Sequence, residues 1–364
     1  MRRSLRIVGG FALALLVVGA FLWVVGPRRV LAELSTAYLP VYAVGFVSVL
    51  AAFWCWSEAL RRVLASVGPE VGGLRYRAAF MSGELAKQVV PMGHSGGPVF
   101  VSYAVSRETD SPYESTLAAA TVVEFVNIGS SVLLATLGLG VVLVGWQGPL
   151  ESVFLALLVG LVIAATALFG AAVLVYYRRA LVERFVLRVA AVGRGTLGRL
   201  SVRVREALAA DRIESTFGTY YEAFDRALVN EGQVRRAAVF SFLGWALFLL
   251  PLWTSFLALD VRVSYALVVF VVPVLSLVNV VPLPGGLGGF EVALAAVIVA
   301  LVGIEFPAAT AAVFLYRLSN YWFVVLVGVV ASAVVSVKPS RAPPLLGPDE
   351  EGVVDGGVVE TDDG

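Results

Sequence analysis

The sequence predicts an all-α polytopic membrane protein with about 6–8 transmembrane helices. Two glycine-rich, re-entrant or broken helical hairpins form an inverted internal repeat within it. Three observations lead there. Of 364 residues, 59% are hydrophobic and 15% charged, where a soluble domain carries about 25% charged residues. Mean hydropathy is +0.89, and apolar runs long enough to cross a bilayer recur along the chain. Finally, Gly93-x-x-Gly96-Gly97 returns as Gly285-x-x-Gly288-Gly289, an offset of 192 (285 − 93), the kind of self-similarity that marks a repeat.

Taken in order, a basic start, Met1–Arg6, precedes the apolar run Ile7–Val25. That run is long for a signal-peptide core and no A-x-A-like site follows, so it reads as a retained first span. Leu39–Leu60 is the second, with Trp54, Trp56 and Glu58 approaching an interface ahead of Arg61 and Arg62. Leu74–Val90 carries Arg75, Arg77, Glu84 and Lys87 and is too polar to face lipid. It runs into Pro91-Met92-Gly93-His94-Ser95-Gly96-Gly97-Pro98, and Val99–Val105 leads back toward Arg107, Glu108 and Asp110. The simplest geometry is a hairpin that enters and leaves on the cytoplasmic side.

Ser115–Val144 and Val153–Tyr177 are clear spans joined by Gly145–Ser152, which has no basic residue. The polar loop 178–236 is rich in Arg, which assigns it to the cytoplasm. Within it Val182–Ala209 has helical apolar spacing with Arg on the other face. Two readings fit that helix: one lying on anionic headgroups, and a solvated connector between two halves. Ala237–Leu259 and Val263–Val281 lead into Pro282-Leu283-Pro284-Gly285-Gly286-Leu287-Gly288-Gly289-Phe290-Glu291, which two prolines and four glycines keep from being regular helix. Broken backbone at membrane depth is tolerated where protein or water surrounds it; a short turn outside the membrane is the alternative. Ala308–Val337 is the last span, and the acidic tail 339–364 is expected to be disordered.

The membrane domain is thus 1–338, with repeat units at about 39–144 and 237–337 joined through the loop 178–236. Glu124-x-x-Asn127 falls opposite Arg317-x-x-Asn320, at an offset of 193 (317 − 124). Three crossings, Ser115–Val144, Val153–Tyr177 and Ala237–Leu259, separate the two hairpins, so one unit is inverted relative to the other, the architecture of alternating-access carriers. Counting both hairpin arms as crossings gives about eight spans. On either count both termini face the cytoplasm of a multi-pass cell-membrane protein.

Charges inside a membrane are candidates for function. Glu124 and Arg317 sit at equivalent places, which suggests two facing helices with the pair near the centre. They either contact a cargo, Arg317 forking onto a phosphate or carboxylate, or lock the two halves together. Lys87 is three residues from Glu84 and lies just before the first break, where free amides suit an anion. Glu291 opens the helix after the second break, a position that favours a carboxylate; proton coupling is its other reading. His94 titrates near neutral pH in an ordinary setting. The candidate substrate-binding set is Lys87, Gly93, His94, Gly96, Gly97, Glu124, Asn127, Pro284, Gly285, Gly288, Gly289, Glu291, Arg317 and Asn320.

One cysteine and one histidine rule out an intramolecular disulfide and multi-histidine metal or haem sites. No cofactor or metal is expected, and no nucleophile–base pair or phosphate-binding loop marks an enzyme. No feature favours nucleic acid over anionic membrane for the basic loop.

With these residues in view, the chain resembles the lysylphosphatidylglycerol synthase transmembrane, or flippase-like, family. The likeness rests on the stretch Pro282 to Glu291, on Arg317 followed by Tyr321-Trp322, and on Gly83-Glu84-Leu85-Ala86-Lys87 running into Pro91. It covers most of residues 1–338. Phe125 departs from it, since the family commonly has Arg after the glutamate, and so does His94-Ser95. The resemblance implies lipid handling. Members that flip aminoacylated phosphatidylglycerol carry a separate aminoacyl-transferase domain, so a stand-alone membrane part is expected here. It implies a non-enzymatic flippase or transporter-like protein whose partner is an anionic phospholipid or polyprenyl-phosphate lipid. The alternative is a non-transporting accessory subunit beside a partner enzyme of lipid or glycan synthesis.

Overall fold

The computed structural model describes residues 25–90, 96–145, 152–196, 210–278 and 288–336, together with positions 19 and 23. The expected first span, Ile7–Val25, and both glycine-rich tips lie largely outside the described residues. In chain order the helices are α1 (Pro27–Ser35), α2 (Leu39–Leu64), α3 (Gly73–Val89), α4 (Gly97–Thr109), α5 (Tyr113–Gly145), α6 (Ser152–Tyr177), α7 (Arg179–Thr196) and α8 (Ala210–Val229). They continue as α9 (Glu231–Ala258), α10 (Tyr265–Val278), α11 (Gly289–Val302) and α12 (Phe306–Arg317). A π-helical turn, Leu318–Trp322, joins α12 to α13 (Phe323–Ser336). The described residues contain no strand.

Among the described residues, five helical stretches are long and apolar enough to cross a membrane: α2, α5, α6, α9 and the continuous run from Phe306 to Val335. The hairpin arms are shorter, with 17 and 13 residues in α3 and α4 and 14 each in α10 and α11. At 1.5 Å per residue they reach roughly 20–25 Å, short of a hydrocarbon core of about 30 Å. Proline in the first turn of α2, α4 and α12 (Pro40, Pro98, Pro307) starts those helices where its missing N–H costs nothing.

The helix starts reproduce the repeat. α2 and α9, α3 and α10, and α4 and α11 begin 192 residues apart (231 − 39, 265 − 73, 289 − 97). α5 and α12 begin 193 apart (306 − 113), because α11 is one residue longer than α4. The second arm ends in each unit on a left-handed residue, Asp110 with φ 53° and Gly303 with φ 75°. Glycine supplies that conformation freely, and Asp is among the few other residues that visit it.

The units are inverted. Equivalent helices α2 and α9 pack closely and antiparallel: Gly45 meets Pro251 and Thr254, while Gly244 meets Trp56. Four aromatic rings mark the symmetry axis between them. The 192-residue offset maps Phe53 onto Trp245 and Trp56 onto Phe248. The Phe53–Phe248 contact (5.9 Å) is therefore the image of Trp56–Trp245 (5.7 Å). The Trp56–Phe248 contact, 4.9 Å, is its own image and sits on the axis.

Each hairpin leans on the other unit. In α3, Ser82 and Ser332 of α13 share a hydrogen bond of 2.7 Å, and a Cβ on Gly328 would stand 2.7 Å from the Leu85 Cβ. In α5, a Cβ on Gly138 would stand 2.7 Å from the Ala266 carbonyl of α10. Within the first hairpin, Gly83 abuts Val101 and Gly97 abuts Lys87, so its arms run antiparallel.

The loop region holds a second helix that sequence reading passed over. α8 buries Tyr221, Ala223, Phe224 and Ala227, and that core includes residues of α5. Arg179 at the head of α7 ties it to α8 through two hydrogen bonds to Asp225, 2.7 and 2.5 Å long. Its guanidinium also faces the rings of Tyr176 and Tyr221.

Candidate functional site

Each hairpin is bound to the span that follows it by an acid–base contact. In the first unit Lys87, at the end of α3, donates to Glu84 at 3.1 Å and lies 3.9 Å from Glu124 on α5. The Lys87 and Glu84 side chains are 12% and 9% exposed, and that of Glu124 is 31% exposed. Gly97 makes room for the lysine, since a Cβ there would lie 2.9 Å from Lys87 Cε. Asn127 follows one turn beyond Glu124, and its buried Oδ1 has no hydrogen-bond partner among the described residues.

In the second unit Glu291 does two jobs. Its Oε2 accepts the Gly288 N–H at 2.6 Å, capping α11, and its Oε1 accepts from Arg317 Nε at 2.5 Å. The two side chains are 3% and 10% exposed. Gly288 has φ 91°, a backbone that suits glycine. Arg317 is sandwiched between rings, 5.3 Å from the centre of Phe290 and 4.8 Å from that of Tyr321. A planar guanidinium stacks well in such a place, where an ammonium does not.

Beside Arg317 the helix changes register. Backbone carbonyls at the end of α12 accept from side-chain hydroxyls as well. Tyr42 of α2 donates to the Leu315 carbonyl at 2.8 Å, and Ser319 donates to the Tyr316 carbonyl at 3.0 Å. The π-helical turn follows and carries Asn320, whose Nδ2 is buried without a hydrogen-bond partner among the described residues. Such turns recur at functional sites.

Two sequence expectations are met and one is corrected. Lys87 pairs with Glu84, and Glu291 serves the start of its helix, as their positions suggested. Glu124 and Arg317, in contrast, do not form the central pair expected of them. Glu124 approaches Lys87, and Arg317 binds Glu291, each inside its own unit. The physical reason is the axis. A two-fold brings equivalent residues together only beside itself, and here Trp56 and Phe248 hold that place. Positions 124 and 317 are nonetheless equivalent in role, with the sign of charge exchanged between units. Gly96 and Gly288 precede the second arms, and Gly97 and Gly289 begin them. Gly93, His94, Pro284 and Gly285 lie outside the described residues. Sequence reasoning missed Tyr42, Phe290 and Tyr321. The last was within reach, because an aromatic four residues after Arg317 shares its helix face.

A charged collar closes the base of the first hairpin. Glu58 receives Arg61 at 2.6 Å, Arg62 at 2.8 Å and Arg77 at 3.4 Å. Arg75 reaches Glu108 at 3.2 Å, tying the start of α3 to the end of α4. The corresponding end of the second hairpin is aromatic. Trp253 donates to the Val263 carbonyl at 3.0 Å, and the Tyr265 hydroxyl donates to the Ala246 carbonyl.

No solved structure matches the chain. It is similar to a UPF0104 membrane protein of Methanothermobacter thermautotrophicus, 26% identical over 339 residues, covering 90% of this chain and 93% of the relative. The family model for the lysylphosphatidylglycerol synthase TM region matches residues 7–328. A repeated, inverted helical architecture and a match over most of the sequence agree: the chain belongs to the lysylphosphatidylglycerol synthase transmembrane-region family.

Proposed function

We propose that this protein is a lipid flippase or transporter-like protein, moving a phospholipid or a polyprenyl-phosphate-linked lipid between leaflets. The observation that carries this reading is an acid–base contact in each inverted unit, half-buried in the first and buried in the second, tying a hairpin to the span that follows it. Charge in a bilayer is costly and is kept where it handles charge. Membership in a family named for a lysylphosphatidylglycerol synthase supports a lipid as cargo. In this reading Lys87 meets the headgroup phosphate, because Arg317 is already engaged by Glu291 and by two aromatic faces. Arg317 then acts as a positioning residue for the second break. The 178–236 loop and both termini face the cytoplasm of the cell membrane.

The test is transfer of a fluorescent anionic phospholipid between leaflets of proteoliposomes. Losing one charge-assisted contact of about 1.5–3 kcal/mol slows transfer about ten- to a hundredfold in Lys87→Ala. Transfer by Lys87→Ala equal to that of the unaltered protein contradicts the assignment, and transfer no faster than in empty liposomes for both contradicts the function. The accessory-subunit alternative needs the loop as a docking surface. Burial of one face of α8 within the fold weighs against it.

A further inference from the structure

We propose that an arginine stripe at the α6–α7 joint and along α7, formed by Arg178, Arg184 and Arg188, is a docking surface for anionic lipid headgroups of the leaflet beside the Tyr177 end of α6. The surface uses none of the residues assigned to the cargo and does not rest on the cargo's identity.

α6 runs into α7 almost without a break. The Arg178 N–H donates to the Leu174 carbonyl at 3.0 Å, and the Val182 N–H donates to the Arg178 carbonyl at 3.3 Å. The helical ladder thus passes through the joint, and the faces of α6 carry over into α7. At 3.6 residues per turn, Val159, Ile163, Leu174, Tyr177 and Leu181 share one stripe, and all five are exposed. α6 is the least buried of the five candidate spans, so on it that stripe faces lipid. The stripe continues into Arg184 and Arg188, also exposed, with exposed Arg178 at its edge.

Along this stripe aliphatic side chains give way to tyrosine and then to arginine. A helix leaving a bilayer meets its layers in that order: hydrocarbon, the interface where amphipathic rings sit, then headgroup phosphates. The 26 residues of α6 cover about 39 Å, close to a bilayer of about 40–45 Å with its headgroups. Arg178 therefore stands at the headgroup layer. Arg184 and Arg188 follow within three turns, and long arginine stems reach back toward phosphate.

The neighbouring arginine has another task. Arg179 binds Asp225 of α8 and faces the rings of Tyr176 and Tyr221, and α8 packs on α5, so the head of α7 is held against the bundle. Arg178, Arg184 and Arg188 form no ion pair among the described residues. The one acid of α7, Glu183, lies on the opposite, half-buried face with Val182 and Val186. The outward face is left wholly basic. Each arginine beside a charged leaflet adds about a fivefold preference for anionic lipid. This favours a helix held at headgroups over a solvated connector.

The test puts a spin label on Leu181→Cys in a Cys55→Ser background, with the full chain in nanodiscs. The readout is the label's collision rate with a neutral, water-soluble nickel chelate. With phosphatidylglycerol mixed into phosphatidylcholine, the label is expected to be shielded severalfold more than in phosphatidylcholine alone. High salt restores access, and so does the triple variant Arg178→Gln, Arg184→Gln, Arg188→Gln. Equal access in the two lipids overturns the proposal, as does shielding that salt and the triple variant leave untouched. Shielding that is alike in both lipids and is lost on deleting residues 339–364 assigns the face to the acidic tail, which also overturns it. Should the triple variant fail to insert, the lipid and salt comparisons on the unaltered arginines still decide. The label reports headgroup contact alone, so its result and that of the Lys87→Ala transfer assay can fail separately.

Discussion

Arg317 and Glu291 illustrate how a membrane interior treats charge. The pair is almost wholly buried, yet each oxygen of the carboxylate accepts a hydrogen bond, one from Gly288 and one from Arg317. Glu291→Gln removes the carboxylate charge that Arg317 binds and is expected to cost about 3–5 kcal/mol. Glu124→Gln, at a side chain near a third exposed, is expected to cost less than about 1 kcal/mol. Thermal unfolding in detergent distinguishes them, and the double variant Glu291→Gln with Arg317→Gln should be milder than Glu291→Gln alone. The charged residues themselves were legible in the sequence, because ionisable groups inside apolar runs stand out. The Lys87–Glu84 pair was legible too, from its spacing, but the pairing of Glu291 with Arg317 was not. Equivalence by repeat identifies which residues share a role, but says nothing about whether they touch. Glu291 was read as a capping residue and proves also to be the partner of Arg317, a contact across 26 residues that no local spacing announces.

At the scale of elements, glycines set how closely helices approach. A Cβ at Gly83 would lie 2.5 Å from the Val101 Cα, and one at Gly138 would lie 2.7 Å from the Ala266 carbonyl. Backbone atoms do not yield, so Gly83→Ala and Gly138→Ala are each expected to lower stability by about 1–3 kcal/mol. Gly170 of α6 meets nothing within 4 Å, so Gly170→Ala should leave the unfolding temperature unchanged or slightly raised. The α7–α8 tether gives a pH test. Hydrogen bonds from Arg179 hold the Asp225 carboxyl below its ordinary value of 3.8. A lowered carboxylate stabilises above its ordinary value and loses that contribution as pH falls through the lower folded value. Protection factors of the α8 amides, which divide out the intrinsic pH dependence of exchange, should therefore stay constant through neutral and mildly acid pH and fall only below 3.8, with those of Asp225→Asn lower throughout. Most element boundaries were legible from apolar periodicity and prolines. α8 was passed over although Phe217, Tyr220, Tyr221 and Phe224 already have helical spacing, because its charges made it look like connector. The π-helical turn left no mark in sequence, since Leu318-Ser319-Asn320-Tyr321-Trp322 has no proline or glycine to set it apart from ordinary helix.

At the scale of the whole molecule, one offset organises everything described. It fixes the helix starts, relates four aromatic rings about an axis, and makes each hairpin lean on the closing span of the opposite unit. This much was foreshadowed by three glycines and a polar doublet. Inversion has a consequence that needs no assumption about cargo: the open ends of the two hairpins must face opposite sides of the membrane. Single cysteines at Ser111 and Glu305, in a Cys55→Ser background, sit just after the second arm of each hairpin. Labelling sealed vesicles with a membrane-impermeant thiol reagent, before and after permeabilisation, is expected to find one position open only to the outside and the other only to the inside. Both positions reacting from the same side would contradict the inverted repeat on which the account depends.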